Sequence, residues 1–329
     1  MTSNRYWVSE FGKGWEDRAV ESVNVVSTAK AAEFAVGDRV QLTDTKSRKH
    51  TIVLEVGREF HTNHGAVKHD DLIGLSEGST VSSTGNMVYL ALRPLLLDFV
   101  LSMPRGAAVV YPKDAAAIVG LADVHPGCVV VEAGVGSGAL SCSLLRAIGK
   151  DGYLYSFERR EDFAKIAQKN VANFFGSEPK NWQVTLGDLQ DEVTALPVAS
   201  VDRVVLDMLA PWECIDAIAQ VLRPGGVVIA YVATTTQMSR FVEDLRLDKR
   251  WTNPEGQELI ARPWHLEGLA VRPNHRMQGH TGFLVTARKL APGVVLPARR
   301  IRPTKGGLDT VAQVTTGEVA LDPEEATDD

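Results

Sequence analysis

The feature that most constrains the fold of this chain is Val129-Val130-Val131-Glu132-Ala133-Gly134-Val135-Gly136-Ser137-Gly138. Consecutive β-branched apolar residues favour a short buried strand. The glycines that follow allow a tight turn, and without a Cβ the backbone there can approach a ligand closely. Ala139–Ile148 then carries a helical apolar pattern. Gly134, Gly136 and Ala139 satisfy the dinucleotide fingerprint G-x-G-x-x-[GA]. Locally, a bare turn accounts for the same glycines, so function must be argued from the rest of the chain.

Downstream, strand and helix patterns alternate. Strands are predicted over Cys128–Glu132, Gly152–Phe157, Gln183–Leu186, Val201–Asp207 and Val227–Val232. Helices are predicted over Arg160–Phe174 and Trp212–Leu222, the first with Phe163, Ile166, Ala167, Val171 and Phe174 at three- and four-residue steps. Such alternation implies a mostly parallel sheet covered on both faces.

Upstream, from Val36 to about Leu92, short alternating segments such as Thr51–Val56 are separated by turns, which predicts a small β-rich domain. A helix is expected to begin within Leu95–Leu101 and to stop at Pro104. Before Phe34 the chain reads as a loose arm. After Leu290 it turns rich in Pro, Arg and Gly and then acidic, and reads as an extended tail. The expected domains are 1–95, 96–290 and 291–329.

Composition excludes several classes. The apolar segment Met87–Val100 is interrupted by Arg93 and Asp98, so no membrane span is expected, and no secretory signal is visible. Cys128, Cys142 and Cys214 lack the spacing of a zinc site or a disulfide framework, which favours no metal and a reducing compartment, the cytoplasm. The net charge of −6 weighs mildly against a nucleic-acid partner. Five of the negative charges, Asp322, Glu324, Glu325, Asp328 and Asp329, lie at the acidic end, however, while Arg299, Arg300, Arg302 and Lys305 gather cations locally.

In open α/β sheets ligands bind at the carboxyl ends of the strands. Glu132, Gly134, Glu158, Asp188 and Asp207 all fall at such ends. Glu158 can take both hydroxyls of a ribose, as in NAD sites, or be a surface carboxylate beside Arg159 and Arg160. Asp188, after Gly187, can accept from an adenine amine. Leu222-Arg223-Pro224-Gly225-Gly226 ahead of Val227–Val232 reads as a helix end, a turn and a fifth strand. With Asp207, this pattern resembles the class I S-adenosylmethionine-dependent methyltransferase fold, a Rossmann-like, mostly parallel seven-stranded sheet. No His or Tyr-Lys constellation suited to a dehydrogenase follows the glycine loop.

Four stretches carry a more specific resemblance: Arg105–Asp114 with Tyr111-Pro112-Lys113-Asp114, Glu132–Leu140, Leu206–Trp212, and Gln278–Leu284. His69–Gly74 in the β-rich domain adds to them. Over roughly Phe34 to Leu290 the chain resembles the tRNA adenine-N1 methyltransferases acting on adenine 58 of the T-loop. That resemblance implies S-adenosylmethionine as cofactor, tRNA as partner and a homotetramer.

It also implies Asp207 as the catalytic carboxylate and Tyr111 as a wall of the adenine pocket. The cofactor set expected is Glu132, Gly134, Val135, Gly136, Ser137, Gly138, Ala139, Leu140, Glu158, Arg159, Asp188, Leu189 and Asp207. Relatives often carry glutamine where this chain has Ala108. Lys113, Arg262, Arg272, His275, Arg276 and the segment 299–305 are candidates for phosphate contacts, although each taken singly reads as a solvated surface charge. Asp207 can equally cap a helix, Tyr111 can be an ordinary half-buried aromatic, and His280 reads as structural. The competing functions are a same-fold methyltransferase acting on a protein carboxylate or small molecule, and a non-catalytic tRNA-binding subunit.

Overall fold

The computed structural model describes residues 33–106 and 108–297. The expected arm before Phe34 falls almost wholly outside these residues, as do most of the tail and the cation segment 299–305. The chain divides into two compact units, Met1–Met103 and Pro104–Asp329.

The first unit contains β1 (Arg39–Thr43), β2 (Lys49–Val53), β3 (Glu59–Thr62), β4 (Gly65–Lys68), β5 (Thr80–Ser82), β6 (Val88–Leu92) and helix α1 (Leu96–Ser102). Four strands form an antiparallel sheet in the order β2-β1-β6-β5, and β3-β4 is a separate hairpin. Alternation puts Val40 and Leu42 of β1 and Tyr89 and Ala91 of β6 into a core with Phe34, Leu54 and Leu72. The stretch His69–Gly74 serves this core. Asp70 accepts from Gly57 N–H, and Nδ1 of buried His69 accepts from Glu55 N–H. Helix α1 belongs to this unit, so the division falls after the expected 95/96 boundary.

The second unit follows the order α2 (Pro112–Leu121), β7 (Val129–Ala133), α3 (Ala139–Ile148), β8 (Tyr153–Glu158), α4 (Glu161–Phe175), β9 (Trp182–Leu186), α5 (Leu189–Glu192) and β10 (Val201–Asp207). It continues with α6 (Ile215–Val221), β11 (Leu222–Val232), α7 (Thr235–Asp248), β12 (Glu255–Glu258), β13 (Trp264–Glu267), β14 (Ala270–Pro273) and β15 (Phe283–Arg288). Seven strands make one sheet, β12-β15-β11-β10-β7-β8-β9. The five from β9 to β11 are parallel, and β15 runs antiparallel to both its neighbours. The parallel strands are buried because helices cover them. Val130, Val131, Val204, Val205, Leu206, Val228 and Ile229 are inaccessible to solvent.

Two local expectations differ. The predicted helix 212–222 is a 3-10 turn at Pro211–Cys214, with Pro211 in the first turn where no N–H is needed, followed by α6. The predicted turn 222–226 is an irregular start of β11. Leu222 already pairs with Val201, and the register shifts before Arg203 meets Val227, with Gly225 at φ +78° absorbing the extra residues. The β13–β14 hairpin was not foreseen.

Candidate active site

Strand β7 is flanked by β8 on one side and β10 on the other, so the chain reverses its direction of growth between β7 and β10. A crevice opens at such a switch point. Gly134 leaves β7 with φ +84°, and a Cβ there would strike the carbonyl oxygen of Asp207 at the end of β10. This glycine is therefore required by the protein's own backbone. Gly138 plays a similar part, since a Cβ would press on Ala167 and Val171 of α4.

A cavity of about 400 Å³ lies at this crevice, within the usual range for small-molecule sites. Of the residues expected from sequence, Gly134, Gly136, Glu158, Arg159, Leu189 and Asp207 line it. Val135, Ser137, Gly138, Ala139 and Leu140 are buried behind it. The loop thus offers the backbone of Gly134 and Gly136 to the cavity and turns the intervening side chains inward. Ser137 Oγ accepts from Gly106 N–H, and Asn170 Nδ2 donates to Ser137 O, which fixes the loop from behind.

Glu158 ends β8, and both of its carboxylate oxygens are oriented. Oε2 accepts from Gly136 N–H at 3.0 Å and Oε1 from Arg160 N–H at 3.1 Å. Each oxygen keeps a lone pair for a further donor. Asp188 stands at the N-cap position of α5 without a side-chain cap hydrogen bond and pairs instead with Arg159, while Gly187 and Leu189 form the cavity wall there.

Glu132 lies beneath the floor, wholly buried. Its Oε2 accepts from Ser141 Oγ at 2.7 Å and Ser156 Oγ at 2.6 Å, and Ser156 in turn accepts from Trp182 Nε1. It is not among the cavity-lining residues. Burial pushes its carboxyl up to about 7 against the pull of the two hydroxyls, and the Asp207 and Glu158 charges add to the rise.

Asp207 is half-buried at the cavity wall. Burial, and then the neighbouring Glu158 charge, push its carboxyl up to about 7. Like charges and low dielectric disfavour ionisation, and a bound cation relieves both. The fit to S-adenosylmethionine rests on these features: a cradle that a Cβ would fill, an oriented carboxylate for ribose, apolar walls from Phe157, Phe163 and Met208, and carboxylates suited to a sulfonium. Ala133, Phe157, Arg160, Phe163, Met208, Leu209 and Ala210 also line the cavity. Sequence reading missed them because a wall residue has no motif of its own. Ala108 lines it too.

Tyr111 is half-buried at the N-cap of α2 and is not a cavity-lining residue. Lys113 is not a free cation. Its Nζ donates to Asp114 Oδ1 (2.7 Å), Leu259 O (2.8 Å) and Thr281 Oγ1 (2.6 Å), which corrects its expected role as a phosphate contact. Arg262, Arg272, His275 and Arg276 are exposed. His280 bridges Glu258 Oε1 at 2.6 Å and Ala233 O at 2.9 Å, and the Glu258 carboxylate raises its pKa. Among the described residues no group of three His, Cys, Asp or Glu is placed to hold a metal ion, and no helix is long and apolar enough to cross a membrane.

The sheet order, the glycine cradle and the carboxylates at the strand ends together define a class I S-adenosylmethionine-dependent methyltransferase. Family models match residues 33–81 (TrmI-like N-terminal) and 87–268 (tRNA methyltransferase complex GCD14 subunit). The chain belongs to this tRNA methyltransferase family. It is 34% identical over 253 residues to the tRNA (adenine(58)-N(1))-methyltransferase TrmI of Thermus thermophilus, covering 75% of this chain and 95% of that one. The tRNA (m1A58) methyltransferase TrmI of Aquifex aeolicus superposes with a TM-score of 0.69 at 27% identity, covering 79% of this chain and all of that one. A Thermotoga maritima structure described as a SAM-dependent O-methyltransferase superposes with a TM-score of 0.74 at 28% identity, covering 83% and 97%.

Proposed function

We propose that this protein transfers the methyl group of S-adenosylmethionine to N1 of adenine 58 in the T-loop of tRNA. The observation that carries the proposal is Asp207. It is a poised carboxylate on the cavity wall at the β7–β10 switch, in a chain whose family acts on tRNA. The cofactor, when bound, supplies an activated methyl on a positive sulfonium. Glu158 accepts from the ribose hydroxyls, and the Gly134–Gly136 backbone admits the cofactor closely.

N1 of adenine holds an in-plane lone pair, so attack needs no prior proton removal. The N1–methyl bond forms as the sulfur–methyl bond breaks. Sulfur leaves as a neutral thioether, and the ring becomes cationic. Asp207 accepts a hydrogen bond from the N6 amine and stabilises the growing charge. Tyr111 stacks on the base or hydrogen-bonds to it. A T-loop adenine must be extruded to expose N1, at a cost of a few kcal/mol offset by phosphate contacts. Arg262, Arg272, His275 and Arg276 are the contacts we assign among the described residues. Incubation with labelled S-adenosylmethionine and bulk tRNA, followed by nucleoside analysis, is expected to give 1-methyladenosine. Label on protein or small molecules with none in tRNA would overturn the assignment and favour an oxygen acceptor.

The active form we propose is a cytoplasmic homotetramer. One face of the β13–β14 hairpin pairs Trp264 with Pro273 and Leu266 with Val271. Leu266 is 73% exposed and Val271 58%, an apolar surface suited to burial in an assembly. A symmetric assembly also offers tRNA more basic surface than one subunit. Light scattering is expected to report a tetramer that Leu266→Lys weakens. A monomer at assay concentration would contradict it.

A further inference from the structure

Two stretches singled out in the sequence, Tyr111–Asp114 and Gln278–Leu284, lie far apart in the chain and are joined by one part-buried polar network. Asp114 is inaccessible to solvent. Its Oδ1 accepts from Lys113 Nζ at 2.7 Å, and its Oδ2 accepts from Thr281 Oγ1 at 2.7 Å. Thr281 Oγ1 also accepts from Lys113 Nζ at 2.6 Å, which closes a three-membered ring of hydrogen bonds. The third proton of Lys113 goes to Leu259 O at 2.8 Å. The ring is fully satisfied: one cation meets one anion, and the hydroxyl serves both.

The ring connects to Tyr111 and to the strand beside Asp207. On one side, Tyr111 is the N-cap of α2, and its carbonyl accepts from Asp114 N–H and Ala115 N–H. On the other side, the Thr281 carbonyl accepts from Tyr231 Oη at 2.6 Å. Tyr231 is the register partner of Asp207 on the neighbouring strand. Gly282 admits this arrangement, since a Cβ would sit 2.5 Å from the Tyr231 ring. Burial raises the Tyr231 hydroxyl to about 12, and the Asp114, Asp207 and Tyr111 charges contribute, as expected of groups gathered in one place.

We infer that Lys113, Asp114 and Thr281 form a positioning lock for the acceptor half of the site. The lock holds Tyr111 at the start of α2 and Tyr231 on the strand beside Asp207, so that the target base is presented in line with the methyl donor. None of the three lines the cofactor cavity, and they act through Tyr111 and Tyr231. The inference rests on the assignment of Asp207 and Tyr111 to the adenine. Its functional weight follows from the steep dependence of displacement on alignment, where a misplacement of about 1 Å can cost about a hundredfold in rate.

The test is Thr281→Val, which keeps the shape and removes the hydroxyl, with Thr281→Ser as the conservative rescue. Single-turnover methylation of tRNA at saturating cofactor is compared with S-adenosylhomocysteine affinity by calorimetry and with the melting temperature. Thr281→Val is expected to slow the single turnover at least about tenfold, on the same alignment argument. Cofactor affinity should stay within about twofold, because no member of the lock meets the cavity. Thr281→Ser should restore the rate. If Thr281→Val melts below assay temperature, Tyr231→Phe replaces it, since it cuts the link to the strand and leaves the ring intact; the same split is expected. Rate and affinity falling in proportion would reduce the network to a structural role, and an unimpaired rate would overturn the lock. A wild-type chain that leaves tRNA unmethylated would instead overturn the functional assignment, and the lock with it.

Discussion

The two halves of the site are built by different means. The cofactor half is made mostly of backbone: Gly134 folded against the Asp207 carbonyl, Gly136 N–H on Glu158, and Arg160 N–H on the same carboxylate. Its pieces are contributed by consecutive β-α units. The acceptor half is made of side chains that meet across long sequence separations, with Thr281 bonded to both Lys113 and Asp114. A backbone-built half demands little beyond glycine at tight positions and one acid at a strand end, so many chemistries share it. A side-chain-built half ties together particular residue types and sets what is methylated.

That contrast predicts separable losses, of which the largest belongs to Asp207. Asp207→Asn keeps the shape and one acceptor lone pair but lacks the charge. Turnover should fall by about 10²–10³, the usual loss when one electrostatic stabiliser is removed. Single-turnover kinetics on tRNA checks this. Were Asp207 only a helix cap, Asn would replace it with little change.

Next in size is Glu158→Ala. It removes a charged acceptor from the ribose position and should weaken S-adenosylhomocysteine binding by roughly 1.5–3 kcal/mol. Unchanged affinity by calorimetry would take Glu158 out of the cofactor half.

The smallest effect is on pH dependence. Burial and the Glu158 charge push the Asp207 carboxyl up to about 7 in the folded chain, and burial does the same to Glu132 beneath it. A cation favours the ionised form, so S-adenosylmethionine should bind more tightly as pH rises from about 6 to 8, and the neutral S-adenosylhomocysteine should follow pH less. The same raised pKa makes the folded chain bind more protons than the unfolded one between the ordinary carboxylate range and about 7. Its contribution to stability is therefore lost as pH rises through that window. Parallel titrations of the two ligands check the difference, and identical pH profiles would contradict it.

The same contrast explains what was legible in the sequence. The strand-turn-helix at Val129–Ile148, the acid ending β8 and the acid ending β10 are local patterns, and the structure places them as expected. Val135, Ser137 and Glu132 carry the motif's residue types yet face inward, because periodicity fixes where a strand ends and not which side chain reaches a cavity. Lys113 read as a surface cation because its partners Thr281 and Leu259 are remote in sequence. The β13–β14 hairpin escaped notice because each of its strands is only four residues long, too short for alternation to stand out.

The most direct measurement of the separation crosses the two variants. Asp207→Asn and Glu158→Ala are each assayed for S-adenosylhomocysteine affinity and for the single-turnover rate of 1-methyladenosine formation in tRNA at saturating cofactor. Asp207→Asn is predicted to lose rate and keep affinity, and Glu158→Ala to lose affinity and keep most of its rate. If both variants lose rate and affinity in the same proportion, the two halves are one unit and the division of labour described for this site is wrong.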